Sequence, residues 1–309
     1  MLIKNFLLKV LLFCLIVGTL LITLVFLSEL AVRESESRML SLSDQINLVF
    51  SGDSYVECAV DDNIVGNSIN IAESGEAYLY SYAKIKSLIE NNKNIKAVFI
   101  GFSYGDVLME KEIDWLFSDE FVVEKVQHYN YLLSSSEKTL IFKRNPRAYL
   151  RGVIKSVYYN LVSVIKSYYS SRSDRKLISF GGYKHLVRDK LLVDPGIELY
   201  KSVPVAKSAL QEKYLRMISD LCREKSIRLV LFETPKYKTY NANVDDSVRQ
   251  IWLDVRNSMP GDSLLDLSDF SLPDSCYGDL THINYKGARI FSRYLNELLN
   301  QSLSADNLR

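Results

Sequence analysis

From Val10 to Leu27 the chain reads VLLFCLIVGTLLITLVFL without a charge, and only Glu29 interrupts its continuation to Val32. Eighteen or more apolar residues can cross a hydrocarbon core of about 30 Å as a helix. This constrains the rest of the molecule, because such a run reads as an anchor with the folded domain after it. Lys4 and Lys9 precede the run, so the positive-inside rule predicts a cytoplasmic leader over 1–9 and an extracytoplasmic domain beyond Val32. A cleaved signal peptide fits less well. The run exceeds the roughly 7 to 15 residues of a signal core, and Ser28-Glu29-Leu30-Ala31 is a poor small-x-small cleavage site. The expectation is therefore a signal anchor over 10–32. A polar, serine-rich tether (RESESRMLSLSD, 33–44), a folded domain over 45–302 and a tail over 303–309 follow it.

The chain has 309 residues, a formal net charge of +1 and 48% hydrophobic residues, enough for one sizeable globular domain behind the anchor. Short apolar runs at 46–50, 69–72, 95–100, 227–232 and 264–267 are partly β-branched and bounded by Gly, Ser, Asp or Pro, as buried parallel strands are. Segments of helical period at 76–91, 204–225, 244–258 and 284–300 lie between and after them. Such alternation predicts an α/β fold with a doubly wound, mostly parallel sheet, whose ligand site lies beyond the carboxyl ends of the strands.

Residues 110–200 break the alternation and read as a helical, tyrosine-rich insertion. Between Lys138 and Lys190 there are thirteen Lys or Arg against two acids, Asp174 and Asp189, in a chain whose formal net charge is only +1. Two readings stand: a solvated helix face whose long basic side chains cover apolar surface, or a surface facing anionic lipid headgroups or an anionic glycan. Basic residues interleaved with tyrosine also suit nucleic acid, but an exported domain would not meet it. Cys14 lies in the anchor, leaving Cys58, Cys222 and Cys276 outside. An odd number cannot all pair within the chain; buried free thiols, or a single Cys58–Cys276 bridge, are the alternatives. No Cys/His spacing marks a metal site, and no cofactor is expected.

Phe50-Ser51-Gly52-Asp53-Ser54-Tyr55 follows the first apolar run and precedes a helical segment, which places Ser54 on a strand-to-helix turn suited to an acyl-transfer nucleophile. Asp53 reads as a brace for that turn. A serine nucleophile needs a base, and of His128, His185 and His282 the first two lie in the insertion. His282 stands in Gly278-Asp279-Leu280-Thr281-His282-Ile283-Asn284, between the last strand and the last helix. There it can take the serine proton while Asp279 holds its ring.

Gly52-Asp53-Ser54 near the start of the domain and Asp279-Leu280-Thr281-His282 near its end resemble the first and last blocks of the SGNH (GDSL-type) hydrolases. Asn70-Ile71-Ala72-Glu73-Ser74-Gly75-Glu76 resembles the second block of that superfamily. The resemblance spans 45–302 less the insertion. It implies a flavodoxin-like three-layer fold, catalytic Ser54, His282 and Asp279, and an oxyanion hole made by the N–H groups of Ser54 and Gly75. One block departs: where the superfamily has Gly-x-Asn-Asp, this chain has Gly101-Phe102-Ser103-Tyr104-Gly105-Asp106, so Ser103 stands in for the asparagine donor. Leu229-Val230-Leu231-Phe232-Glu233-Thr234-Pro235 is similar to a strand-Thr-Pro run of membrane-anchored bacterial members that act on acyl groups of envelope polymers, with Thr234 and Tyr237 lining the cleft. The function implied is a membrane-anchored serine esterase or O-acyltransferase acting on an acylated envelope polysaccharide. The alternatives are a non-catalytic envelope scaffold or glycan-binding protein and a lipid-directed esterase.

Overall fold

The computed structural model describes residues 2–169, 180–189, 191, 199, 205–259 and 261–306. Four of the insertion's basic residues (172, 175, 176 and 190) and the last residues of the tail (307–309) lie outside the described residues, as do the side chains of Tyr168 and Tyr169. In chain order the elements are α1 (Leu2–Met39), β1 (Leu48–Ser51), α2 (Ser54–Ala59), β2 (Ser68–Asn70), α3 (Tyr78–Asn91), β3 (Ala97–Gly101), α4 (Asp119–Tyr129), α5 (Ser135–Arg144) and α6 (Pro146–Tyr169). They continue with α7 (Ala209–Glu224), β4 (Arg228–Glu233), α8 (Asp246–Asn257), β5 (Ser263–Asp266) and α9 (Tyr285–Asp306). Two compact units result, one of residues 1–40 and 119–176, the other of 41–118 and 177–309.

The larger unit is α/β. Its five strands pair in the order β2-β1-β3-β4-β5, and every pairing is parallel. That is the order of one common doubly wound sheet. Right-handed crossovers assign α2 to one face and α3 and α7 to the other, and the helix packing agrees, since α3 packs on α7 and α2 on α9. Side chains alternate between the faces with a period of two. Phe50, Phe99 and Phe232 form one aromatic cluster, with ring centroids 4.7 to 6.0 Å apart, and Phe291 of α9 stacks on Phe232 at 6.3 Å. Val49, Val98, Ile100, Leu229 and Leu231 are buried on the alternate positions.

The turn after β1 and the loop after β5 depend on the packing of α2 against α9. Ser292 Oγ accepts from Asp61 N–H at 2.9 Å and lies 3.2 Å from the Ala59 carbonyl, while Asn296 Oδ1 accepts from Gly66 N–H at 2.9 Å. Gly287 lets α9 come close: a Cβ there would stand 2.5 Å from the Cys276 carbonyl oxygen. The loop after β2 is pinned from beneath by Lys84. Fully buried on α3, it donates to the carbonyls of Ile71 at 2.6 Å and Phe180 at 3.2 Å and pairs with the buried carboxylate of Glu76.

The smaller unit joins α1 to α4, α5 and α6. One stretch of α1, Ile3–Ser35, is long and apolar enough to cross a membrane. The helix continues to Met39, through residues that the sequence analysis gives to a tether, because Arg, Glu and Met all favour helix. Residues 180–189, part of the expected helical insertion, carry neither helix nor strand and belong to the α/β unit. All four cysteines are free, and Cys58, Cys222 and Cys276 are buried.

Replacing Lys84 by Met strands the Glu76 charge in a buried site. The expected loss is about 3–5 kcal/mol, read as a lower urea midpoint of the full-length protein in detergent micelles. An unchanged midpoint would show that this ion pair does not hold the loop.

Candidate active site

Ser54 is the first residue of α2, immediately after β1. Asp53 caps the helix, its carboxylate accepting the Tyr55 N–H at 3.0 Å, as the sequence analysis expects of a brace. Gly52 has φ +143°, and a Cβ there would stand 3.1 Å from the Gly101 backbone and from Val56 Cγ2. Only glycine suits that backbone and that gap, so β1 and β3 end close together beneath the serine.

His282 comes from the loop between β5 and α9. A bridge between Tyr277 and Ile283 closes this loop, with Gly278 N–H donating to the His282 carbonyl at 2.8 Å. Asn284 caps α9, its Oδ1 accepting from Lys286 N–H at 3.0 Å, and its Nδ2 donates to the carbonyls of Ser275 at 2.8 Å and Arg188 at 2.9 Å. The result is a chain of hydrogen bonds. Ser54 Oγ lies 2.8 Å from His282 Nε2, and His282 Nδ1 lies 2.9 and 3.1 Å from the two oxygens of Asp279. An ionised carboxylate only accepts, so Nδ1 carries the proton and Nε2 keeps a lone pair for the serine hydroxyl.

Asp279 is held ionised. Burial alone would raise its pKa, but the hydrogen bond and charge of His282 and the donors of Thr281 together hold it well below the usual aspartate value. Its Oδ1 accepts from Thr281 N–H, Thr281 Oγ1 and His282 N–H, each at 2.9 Å. Arg188 pairs with the other oxygen at 2.5 Å. The segment that carries Arg188 is tied down along its length. Gly182 N–H donates to the Ala72 carbonyl at 3.0 Å, Lys184 N–H to Glu57 at 2.8 Å, and Tyr285 N–H to Leu186 at 3.1 Å.

The second-block loop reaches the serine turn through Glu73 N–H, which donates to the Gly52 carbonyl at 3.1 Å. Gly75, two residues on, has φ +68°. Asn70 ties this loop to α2, donating to the Val60 carbonyl at 2.8 Å and accepting from Ala72 N–H at 2.9 Å. Ser103 departs from its expected place among the oxyanion donors. Its hydroxyl donates to Glu233 Oε1 at 2.8 Å, its N–H donates to Asp106 Oδ2 at 2.9 Å, and the residue is almost fully buried. The donor of a serine stands one bond nearer the backbone than that of the asparagine it replaces, and the buried carboxylates beside it take both of its donors. Thr234 and Tyr237 are both buried: Lys236 Nζ donates to Thr234 Oγ1 at 3.2 Å, and Tyr237 N–H donates to the Leu280 carbonyl at 3.0 Å.

Two buried cation-carboxylate groups that the sequence analysis misses lie beside these residues. Lys111, on a π-helical turn (Lys111–Leu116), meets Asp53 at 2.8 Å and Asp106 at 3.2 Å. Burial would raise Asp53, but Lys111 and the Tyr55 N–H hold it below its usual value; burial and the neighbouring Asp53 charge push Asp106 up to about 7. In the second group Lys236 meets Glu233 at 3.1 Å and sits 3.7 Å from the centre of the Tyr55 ring, whose edge-on neighbour at 5.0 Å is the His282 ring. Burial pushes Glu233 up to about 7. Nothing in the sequence separates these lysines from exposed ones; the only local signal is that Glu233 ends a buried strand.

One family model, of a family without a described function, matches residues 201–304. No curated protein matches the chain.

A carboxyl whose pKa is raised on folding binds its proton more tightly in the folded state. Glu233 therefore costs stability as pH rises from its ordinary 4.5 toward about 7, by about 3 kcal/mol in all. Glu233→Gln is expected to flatten that part of the thermal-midpoint-against-pH curve. A mutant curve parallel to wild type from pH 4.5 to 7 would contradict the assignment.

Proposed function

We propose that this chain is a membrane-anchored serine esterase or O-acyltransferase of the SGNH kind, with Ser54, His282 and Asp279 as its catalytic residues. The observation that carries the reading is the unbroken run Ser54 Oγ, His282 Nε2, His282 Nδ1, Asp279, in which each group has the partner its role requires. Ser54 Oγ attacks the acyl carbonyl while its proton passes to His282 Nε2, and Asp279 stabilises the imidazolium. His282 then returns the proton to the leaving alcohol oxygen, which leaves an acyl-serine. Water or an acceptor alcohol, deprotonated by His282, attacks that ester and frees Ser54. The N–H groups of Ser54 and Gly75 face the oxyanion in this scheme, and no cofactor enters it.

Ser103 bears on how fast the reaction runs. One well-placed oxyanion donor is worth about 2.7 to 4 kcal/mol of barrier, and the Ser103 hydroxyl is bonded to Glu233 instead. This favours a slow enzyme over an efficient one, whichever acceptor takes the acyl group. It also supports the second reading, a non-catalytic envelope scaffold or glycan-binding protein that keeps the fold. An apolar N-terminal helix that can cross a membrane, with Lys4 and Lys9 before it, supports an extracytoplasmic site. The substrate we assign there is an acyl ester of a cell-envelope polysaccharide.

The full-length protein in detergent micelles is to be assayed on short acetyl esters of sugars and on long-chain acyl esters. Turnover of the acetyl esters is expected, with a fall on the order of 10⁴-fold or more in Ser54→Ala. Preference for long chains would favour a lipid-directed esterase, and absence of turnover on both classes would favour the scaffold.

A further inference from the structure

Helix α6 is built inside out. The residues it turns into its own unit are Ala148, Gly152, Ser156 and Asn160, small or polar at every fourth position and all buried. A Cβ on Gly152 would stand 2.7 Å from Val126 Cβ and 3.2 Å from the Val123 carbonyl, so α4 lies directly on it. Outward, α6 presents Leu150, Ile154, Tyr158, Leu161 and Ile165, between 46% and 75% exposed. A surface helix of a water-soluble protein has its apolar stripe on the packed side. Helices packed within a membrane have the reverse order, with small and polar residues against protein and large apolar ones toward lipid.

The same inversion occurs on α1, against which α6 packs. Ser28 and Glu29 of α1 are buried while Leu20, Ile22, Phe26, Leu27 and Leu30 are exposed. Polar side chains form the inner seam. Lys138 Nζ meets both Glu29 oxygens at 2.7 and 2.9 Å, Asn130 donates to Glu29, and the Tyr149 hydroxyl donates to Asn130 at 3.2 Å. Asn160 Nδ2 lies 3.5 Å from Ser28 Oγ. Polar groups gathered inside with apolar groups outside suit a hydrocarbon surround. Beside the apolar row of α6 runs a cationic row at the same four-residue spacing, Arg147, Arg151 and Lys155, all exposed. A helix with one apolar and one cationic row lies at the boundary of headgroups and acyl chains.

We infer that α6 is a second membrane-seated element. Its row Leu150, Ile154, Tyr158, Leu161 and Ile165 sinks into the acyl boundary of the bilayer that α1 crosses, and Arg147, Arg151 and Lys155 lie among anionic headgroups. This goes beyond a single-pass anchor and is independent of the chemistry proposed for Ser54. The occupant is lipid because α6 packs on α1, whose apolar stretch stands exposed among the described residues. The exposed cations Lys155 and Lys166 keep α6 in the interface rather than across the core.

The test uses full-length protein reconstituted into vesicles of phosphatidylcholine with or without phosphatidylglycerol. The photoreactive residue p-benzoylphenylalanine is placed singly at Ile154, Tyr158 or Ile165, and adducts are read by intact mass. Lipid adducts are expected at all three positions. Their yield is expected to be several-fold higher with phosphatidylglycerol and to fall several-fold when Arg147→Glu, Arg151→Glu and Lys155→Glu are combined. A crosslinked second copy of the chain, or irradiated protein without lipid adducts, would overturn the inference. A yield indifferent to both phosphatidylglycerol and charge reversal would overturn the headgroup assignment.

Discussion

The hydrogen bond between Ser54 and His282 joins residues 228 positions apart, and most of the α/β unit can be understood as the means of making it. The strand order puts β3 and β4 between β1, which delivers Ser54, and β5, which precedes His282. A short turn after β5 could not bridge that gap. The chain instead runs back along the strand ends as residues 267–284 and enters α9, and the packing of α9 against α2 brings the start of one helix to the start of the other. His282 lies three residues before α9 and Ser54 opens α2, so the helix packing sets the contact. Asp279 then needs only local geometry, because its three-residue separation from His282 lets one loop hold both.

Charge beneath the site is arranged at some cost. Two lysines and three carboxyls, Lys111, Lys236, Asp53, Asp106 and Glu233, are buried there. Buried ion pairs seldom add stability over apolar packing, since desolvation offsets their attraction. Here they fix the ends of the turns that carry the site: Lys111 ties Asp53 at the β1 turn to Asp106 after β3, and Lys236 ties Glu233 at the end of β4 to Tyr55 beside the serine. The same arrangement claims the Ser103 hydroxyl. In the reading proposed above, a more rigid site is obtained at the expense of one oxyanion donor.

Much of this architecture is legible from residue types alone. The strands announce themselves as short apolar runs because both faces of a parallel sheet are covered, and Ser54, His282 and Asp279 stand out because few histidines are present and one follows the last strand. The buried lysines do not, since Lys111 and Lys236 resemble exposed lysines until the fold brings their carboxylates near. Ser103 has the right position but the wrong partner, and Glu233, 130 residues away, decides it. The polar stretch after the anchor reads as a tether, yet its residues are good helix formers and α1 simply continues. For α6, the basic residues are visible in the sequence, but that an apolar row stands exposed beside them depends on Gly152 and its small neighbours fitting against α4.

The central claim is that Ser54 is an activated nucleophile. Its most direct test is labelling of full-length protein in detergent micelles with a fluorophosphonate probe, followed by mass mapping of the modified residue. The account requires one phosphonyl group on Ser54, absent from Ser54→Ala and His282→Ala proteins that keep the wild-type circular dichroism. A folded wild type that takes no label, or takes it elsewhere, would contradict it.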